Sequence, residues 1–252
     1  MISLAIEGGV AIATLCRPPV NAINEEWIGR LDRILDEVEA ASEVKVLWIR
    51  SRERVFCAGA DLALMRERFG TAAGRQQMVD MTRRLQAVYA RLESLCKVSI
   101  AEIGGAALGG GFELALACDL RTVADTAKVG LPEARLGLLP GAGGTQRLTR
   151  LCGEGTSRRL ILGAEVVGGA QAVALGLAHW VAPAAELETL TRSVVAPISE
   201  LPAAALAACK RCIDAALDES ENGFEVELAE TGLLLASNET QQRVKQFLDK
   251  QK

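Results

Sequence analysis

The apolar positions of this chain change period along its length, and each change marks an element. Ile2 to Ile6 and Val10 to Leu15 are strand-like runs on either side of Gly8-Gly9, which predicts a hairpin. Asn24 then precedes Glu25 and Glu26, while Ile28, Leu31, Leu35 and Val38 recur at three- and four-residue steps. That is a capped amphipathic helix. Val44 to Arg50 reads as a buried strand, and Phe56 to Asp61 as a loop. Met78, Met81, Leu85, Val88 and Leu92 step by three and four again, so a second long helix runs to about Leu95, after a loop-like stretch from Leu64 to Gln77. Next come the strand Val98 to Ile103, a glycine turn, the helix start Phe112 to Cys118, and two short strand-like pieces at Leu120 to Asp125 and Ala127 to Leu131.

This succession of β and α segments predicts an α/β core with parallel neighbours, whose ligand sites lie at strand ends. From about Thr145 the character changes. Apart from Leu177 to Ala182 the remainder is rich in Ala, Leu and charge at helical spacing, punctuated by Pro183, Pro197 and Pro202. Residues 1–186 are therefore expected to form the core and 187–252 a helical C-terminal region, ending in a helix that Asn238 caps and that carries Val244, Phe247 and Leu248 on one face.

Composition narrows the classes. At 252 residues, 50% hydrophobic and 24% charged, the chain has the make-up of a globular protein with a substantial core. Its N-terminus carries Glu7 and no basic leader, so secretion is not expected, and Ile100 to Cys118, the most apolar stretch, contains Glu102, Glu113 and five glycines, which excludes a membrane span. A cytoplasmic location is expected. Seven scattered cysteines read as reduced thiols, and Cys209-x-x-Cys212, in an Ala-rich helical run with His179 the one histidine of the chain, is no metal site. A net charge of −4 and only short basic pairs offer nothing to nucleic acid.

The candidate chemistry lies between Ala106 and Gly144. Gly109-Gly110-Gly111 precedes Glu113; Pro132-Glu133 and Pro140-Gly141-Ala142-Gly143-Gly144 follow. Three consecutive glycines allow positive φ and let a ligand approach main-chain N–H groups at a helix start. Two carboxyls converging on such an anion cradle make acid/base equipment.

Four ordered motifs carry a resemblance to the crotonase superfamily, the enoyl-CoA hydratase/isomerase family, over nearly the whole chain. Arg17-Pro18 with Asn21-Ala22-Ile23-Asn24 is the first, and Phe56 to Leu62 (FCAGADL) the second. Ala107 to Leu114 (ALGGGFEL) is the third; the fourth runs from Leu131 through Pro132-Glu133, Leu136-Gly137 and Pro140 to Gly143-Gly144-Thr145-Gln146-Arg147-Leu148. The resemblance implies a ββα spiral core and an enzyme of fatty acid metabolism acting on a coenzyme A thioester, which is substrate and not cofactor. It implies backbone donors at Ala60 and Gly110 for the thioester oxygen, substrate contacts at Ala58, Ala60, Asp61, Leu62, Arg54, Gly109 and Gly110, and a reacting water shared by Glu113 and Glu133. Glu113 would activate that water and Glu133, protonated, would supply a proton, although a shared water couples the two titrations. Arg54 and the C-terminal helix would serve the coenzyme phosphates, because Pro19 and Ala63 stand where some hydratases carry basic residues. Met65, Phe69 and Phe112 are candidate liners of the acyl pocket.

The resemblance also implies homotrimers or homohexamers, with acyl-CoA the only other partner: no nucleic acid and no membrane. Alternatives in the same fold are an enoyl-CoA isomerase, a cyclic or dienoyl-CoA hydratase, an RNA-binding protein and a catalytically silent scaffold. Retention of both glutamates favours hydration.

Overall fold

The computed structural model describes residues 1–250 and divides into two compact units, Met1–Ser199 and Glu200–Lys252. In the first, strands β1 (Ile2–Glu7) and β2 (Val10–Leu15) form the expected antiparallel hairpin, Ile2 facing Leu15 and Glu7 facing Val10. Helix α1 (Glu25–Ala40) starts at Asn24, whose side chain accepts from Trp27 N, and buries Trp27, Ile28, Leu31, Ile34, Leu35 and Val38. At roughly 1.5–3 kcal/mol for each large apolar side chain removed from water, that face fixes the helix on the sheet.

Strand β3 (Val46–Ser51) follows, then two helices, α2 (Leu62–Arg68) and α3 (Ala72–Glu93). The short α2 occupies part of the stretch expected to be loop; Asp61 caps it, accepting from Ala63 N and Leu64 N. The α3 face is the expected one, with Met81, Leu85, Val88, Tyr89 and Leu92 buried. Strands β4 (Val98–Ile103) and β5 (Ala107–Leu108) lead to helix α4 (Gly110–Leu116), then β6 (Leu120–Ala124) and β7 (Lys128–Gly130). A 3-10 turn over Glu133–Leu136, helix α5 (Gly144–Leu162), strand β8 (Val166–Gly168), helix α6 (Gly169–Ala174), strand β9 (Trp180–Ala182) and helix α7 (Leu187–Ser199) complete the unit.

The main sheet has the order β1-β2-β3-β4-β6-β9, and every pairing after the hairpin is parallel. A second sheet, β5-β7-β8, stands beside it. Side chains alternate across a strand. Ala11, Ala13, Leu47, Ile49, Ala101 and Ile103 thus join the core that α1 and α3 cover, whereas Ile12, Val46, Trp48 and Ile100 face the other way and pack with Val195 of α7. This last contact corrects the expected boundary. The compact core reaches Ser199 rather than residue 186, because α7 is the layer that covers the sheet's second face.

The second unit holds helices α8 (Ala203–Ala215), α9 (Gly223–Ala236) and α10 (Asn238–Asp249). Arg211 Nε on α8 donates to Glu230 Oε1 on α9 at 2.7 Å, and Ser237, not Asn238, caps α10. Ile213, Leu217, Phe224, Leu228, Leu233, Leu235, Val244, Phe247 and Leu248 are all more than half exposed in the single chain. Among the described residues no single helix is long and apolar enough to cross a membrane, and no group of three or more His, Cys, Asp and Glu side chains could hold a metal.

Candidate active site

The strand-end loops of the first unit surround a cavity of about 670 Å³. The loop Phe56–Asp61 is held from two sides. On one, Cys57 N donates to Ala106 O and Leu108 N to Cys57 O, a one-residue parallel bridge between Cys57 and Ala107. On the other, Ile23 N donates to Gly59 O and Asp61 N to Ile23 O. Those bonds use the groups that flank Ala60 and turn the Ala60 N–H away from Ile23. Arg17 and Asn21 act as struts behind the loop. Arg17 pairs with Asp61 at 2.8 Å and donates to Ala22 O, and buried Asn21 donates to Phe56 O and Ser51 Oγ.

The two candidate donors come together at Gly59, where φ is +94° and a Cβ would stand 2.9 Å from Leu108 O and 3.2 Å from Gly110 N. Only glycine lets the two loops approach this closely. Among the described residues neither the Ala60 nor the Gly110 amide donates to a protein acceptor, and both residues line the cavity. Tyr89, buried on α3, donates to Gly110 O at 2.8 Å and so pins the start of α4.

Glu113 lies one turn into α4 and is almost fully buried. Its Oε1 accepts from Ala142 N at 2.8 Å and Gly144 N at 2.7 Å. Burial pushes its carboxyl up to about 7; the charge of Glu133 pushes the same way, against the two amides and Arg147. Glu133 opens the 3-10 turn after Pro132 and is half-buried, and burial raises its carboxyl too. Its position relative to the glycine turn follows from Gly109, where φ is +52° and a Cβ would meet Glu133 Oε1 at 2.9 Å. The other oxygen, Oε2, is buried and has no hydrogen-bond partner among the described residues.

Of the site residues expected from the sequence, Ala58, Ala60, Asp61, Leu62, Gly109, Gly110, Glu113 and Glu133 all border the cavity. Arg54 does not; it is exposed outside the lining, and its carbonyl lies against Gly105. Asp61 reaches the cavity while its carboxyl is engaged by Arg17 and by the α2 cap, which holds it below the usual carboxylate range, the Arg17 hydrogen bond first among the causes. Met65 and Phe69 line the cavity as expected, but Phe112 points into the core. His179 is outside the lining, its Nδ1 accepting from Arg121 N. Sequence reasoning missed the contacts that Ala142, Gly144 and Tyr89 make in the site; the only signal was that Pro140–Gly144 stood in a motif.

The sequence matches the family described as enoyl-CoA hydratase/isomerase over residues 5–252. The chain belongs to that family. It is 35% identical over 253 aligned residues to a probable enoyl-CoA hydratase of Bacillus subtilis, the alignment covering 100% of this chain and 96% of the relative. To the short-chain-enoyl-CoA hydratase of Clostridium acetobutylicum it is 33% identical, covering 100% and 95%. The solved structure of an enoyl-CoA hydratase from Bacillus anthracis superposes with a TM-score of 0.92 at 30% identity, covering 99% of this chain and 96% of that one. The enoyl-CoA hydratase/isomerase chain thus has the crotonase fold expected of it, and it is an enzyme of the lyase class.

Proposed function

We propose that the protein adds water reversibly across the 2,3 double bond of a 2-enoyl-CoA to give the 3-hydroxyacyl-CoA. The observation that carries this reading is the convergence of two carboxyls, both raised by burial, on one cavity with two free amides. The thioester oxygen accepts from the Ala60 and Gly110 N–H groups, which are placed before the oxygen gains charge. Glu113, titrating near neutrality, takes a proton from the water whose oxygen bonds to Cβ. The C2–C3 π electrons move toward the carbonyl, and Glu133 supplies the proton that Cα gains as the carbonyl re-forms. The unpartnered Oε2 of Glu133 is the atom this scheme gives to the reacting water. Two carboxyls support hydration over a shift of the double bond, for which a single acid/base group suffices.

Three of the chain's four methionines, Met65, Met78 and Met81, line the cavity together with Phe69, Leu85 and Leu139. Thioether chains adapt their rotamers to what they pack against. We assign this wall to the acyl chain. Loss of conjugated-thioester absorbance, followed over 2-enoyl-CoA substrates of graded length and branching, tests the activity and the wall together. Met78→Trp is expected to lower the ratio of kcat/KM for long chains to that for crotonyl-CoA by roughly tenfold or more, the scale of one or two methylene contacts. An unchanged ratio in a folded variant removes Met78 from the acyl wall, and no turnover of any substrate by the parent removes the hydratase reading.

We further propose that the chain assembles as a homotrimer or homohexamer. The apolar positions of α8, α9 and α10 left exposed in one chain support this, because patches on this scale mark association surfaces. Sedimentation or light scattering is expected to give three or six times the mass of one chain. A stable, fully active monomer at micromolar concentration would overturn the assignment.

A further inference from the structure

Glu113 is held by a turn, and the turn is itself held from behind. The trans peptide is planar, with its C=O and N–H pointing in opposite directions, so a group that fixes the oxygen also fixes the direction of the hydrogen. The N–H of Ala142 shares a peptide plane with Gly141 O, and Gln86 Nε2, on α3, donates to that oxygen at 2.5 Å. The N–H of Gly144 shares a plane with Gly143 O, which accepts from Gln146 N and Arg147 N in the first turn of α5. Between them, Ala142 O accepts from Arg147 Nη1 at 2.9 Å, and the same guanidinium is anchored on α3 by Glu93 Oε2 through Nε at 3.0 Å and Nη2 at 2.8 Å. Three successive carbonyls of the turn are thus fixed, and the N–H groups that share peptide planes with the first and third of them close on one oxygen of Glu113.

We propose that Gln86 is a positioning residue for the hydration reaction, acting with the Arg147–Glu93 pair to hold the 141–144 turn so that its amides orient the Glu113 carboxylate. The proposal rests on the hydratase reading above. Arg147 is buried to 9% side-chain exposure and shapes the start of α5, so its replacement would disturb packing as well as orientation. Gln86 lies at the solvent-exposed edge of the cavity, which it lines beside Gly141 and Ala142, and a change of side chain there costs little stability. It is therefore the residue through which the device is tested.

Gln86→Met keeps the length of the side chain and removes the donor. One hydrogen bond of ordinary strength acting through the turn corresponds to a fall in kcat of about three- to tenfold, with KM nearly unchanged. The amides favour the charged form of Glu113. Loosening them raises its pKa, so the rise of activity with pH moves to higher pH. The groups that bear on this titration, Glu133, Arg147 and the neighbouring Tyr89, are unaltered by the substitution. Gln86→Lys, which can still donate to Gly141 O, is expected to recover most of kcat.

The experiment combines steady-state kinetics across pH with a direct carbon-13 NMR titration of the Glu113 carboxyl in wild type and both variants, with melting temperature as a check on folding. A raised Glu113 titration in Gln86→Met, with kcat lowered and KM steady, is the expected result. A rise in KM with kcat intact makes Gln86 a substrate contact and overturns the proposal, as does an unshifted titration. If the titration shifts while the wild type hydrates no enoyl-CoA, the positioning role of Gln86 stands and the hydratase reading is what fails.

Discussion

Glu113→Gln and Glu133→Gln are each expected to lower kcat by roughly 10²–10⁴-fold, the range for loss of a positioned general acid or base. Binding of a saturated acyl-CoA should persist, because glutamine keeps the volume and most of the polarity of each side chain. The two variants differ in what they leave behind. In Glu113→Gln the Ala142 and Gly144 amides still find an acceptor in the new amide oxygen, so the turn keeps its shape and the lost rate reports the base alone. In Glu133→Gln a neutral amide replaces the proton-bearing carboxyl of the working form, so the Glu113 titration keeps the position that burial gives it. The acid limb of the residual activity then stays near pH 7. Its direction follows from the base having to be ionised to work: activity is present above its pKa and lost as pH falls through it. Near-wild-type hydration by either variant would remove that glutamate from the chemistry.

How much of this was legible in the sequence depends on whether the signal is local. The β1/β2 hairpin, α1 with its Asn24 cap and the buried face of α3 follow from periods of two and 3.6 and from turn residues, all of which act within a few positions. The α2 helix was hidden because its seven residues bury none of their side chains fully and its start depends on Asp61, whose partner Arg17 is 44 positions away. Strand β8 has three residues and exists through its pairing with β7, a contact that its own composition does not announce. The boundary after Ser199 was misplaced for a related reason. The apolar stripe of α7 looks the same whether the helix covers the sheet or belongs to a separate bundle, and only the contact of Val195 with Trp48 and Ile100 decides.

In the site, residue types were readable and partners were not. Both glutamates stood out from the residue types of the Ala106–Gly144 stretch, whereas Ala60 and Gly110 were named only through the family resemblance that four motifs carry. The grip of Ala142 and Gly144 on Glu113 spans about thirty positions and uses backbone atoms, which carry no residue-type signature. Gln86 is more remote still, 55 residues from the carbonyl it holds and in no motif. Phe112 was misread because it follows the glycine turn directly, yet the first turn of α4 sends Glu113 to the cavity and Phe112 into the core.

The thioester-oxygen donors admit an equally direct test, because proline can remove the Gly110 N–H with little other disturbance. Gly110 is the first residue of α4 after the Gly109 cap, where a helix makes no use of its N–H and proline's fixed φ suits the helix. Gly109, at ψ −129°, is extended enough to leave room for the ring that follows. The new Cβ would stand 3.1 Å from Ile23 Cδ1, the far end of a side chain that can give way. The carbonyl that Tyr89 holds is unchanged. Gly110→Pro should therefore fold, with a melting temperature close to the parent's, and should lose at least the roughly 10²–10³-fold in kcat that one preorganised oxyanion donor supplies. Saturated acyl-CoA should weaken far less than an enolate-like thioester analogue, because the donor matters most where charge has developed on the oxygen. A folded Gly110→Pro protein that hydrates enoyl-CoA at the parent rate would show that the Ala60 amide and the helix start suffice without Gly110.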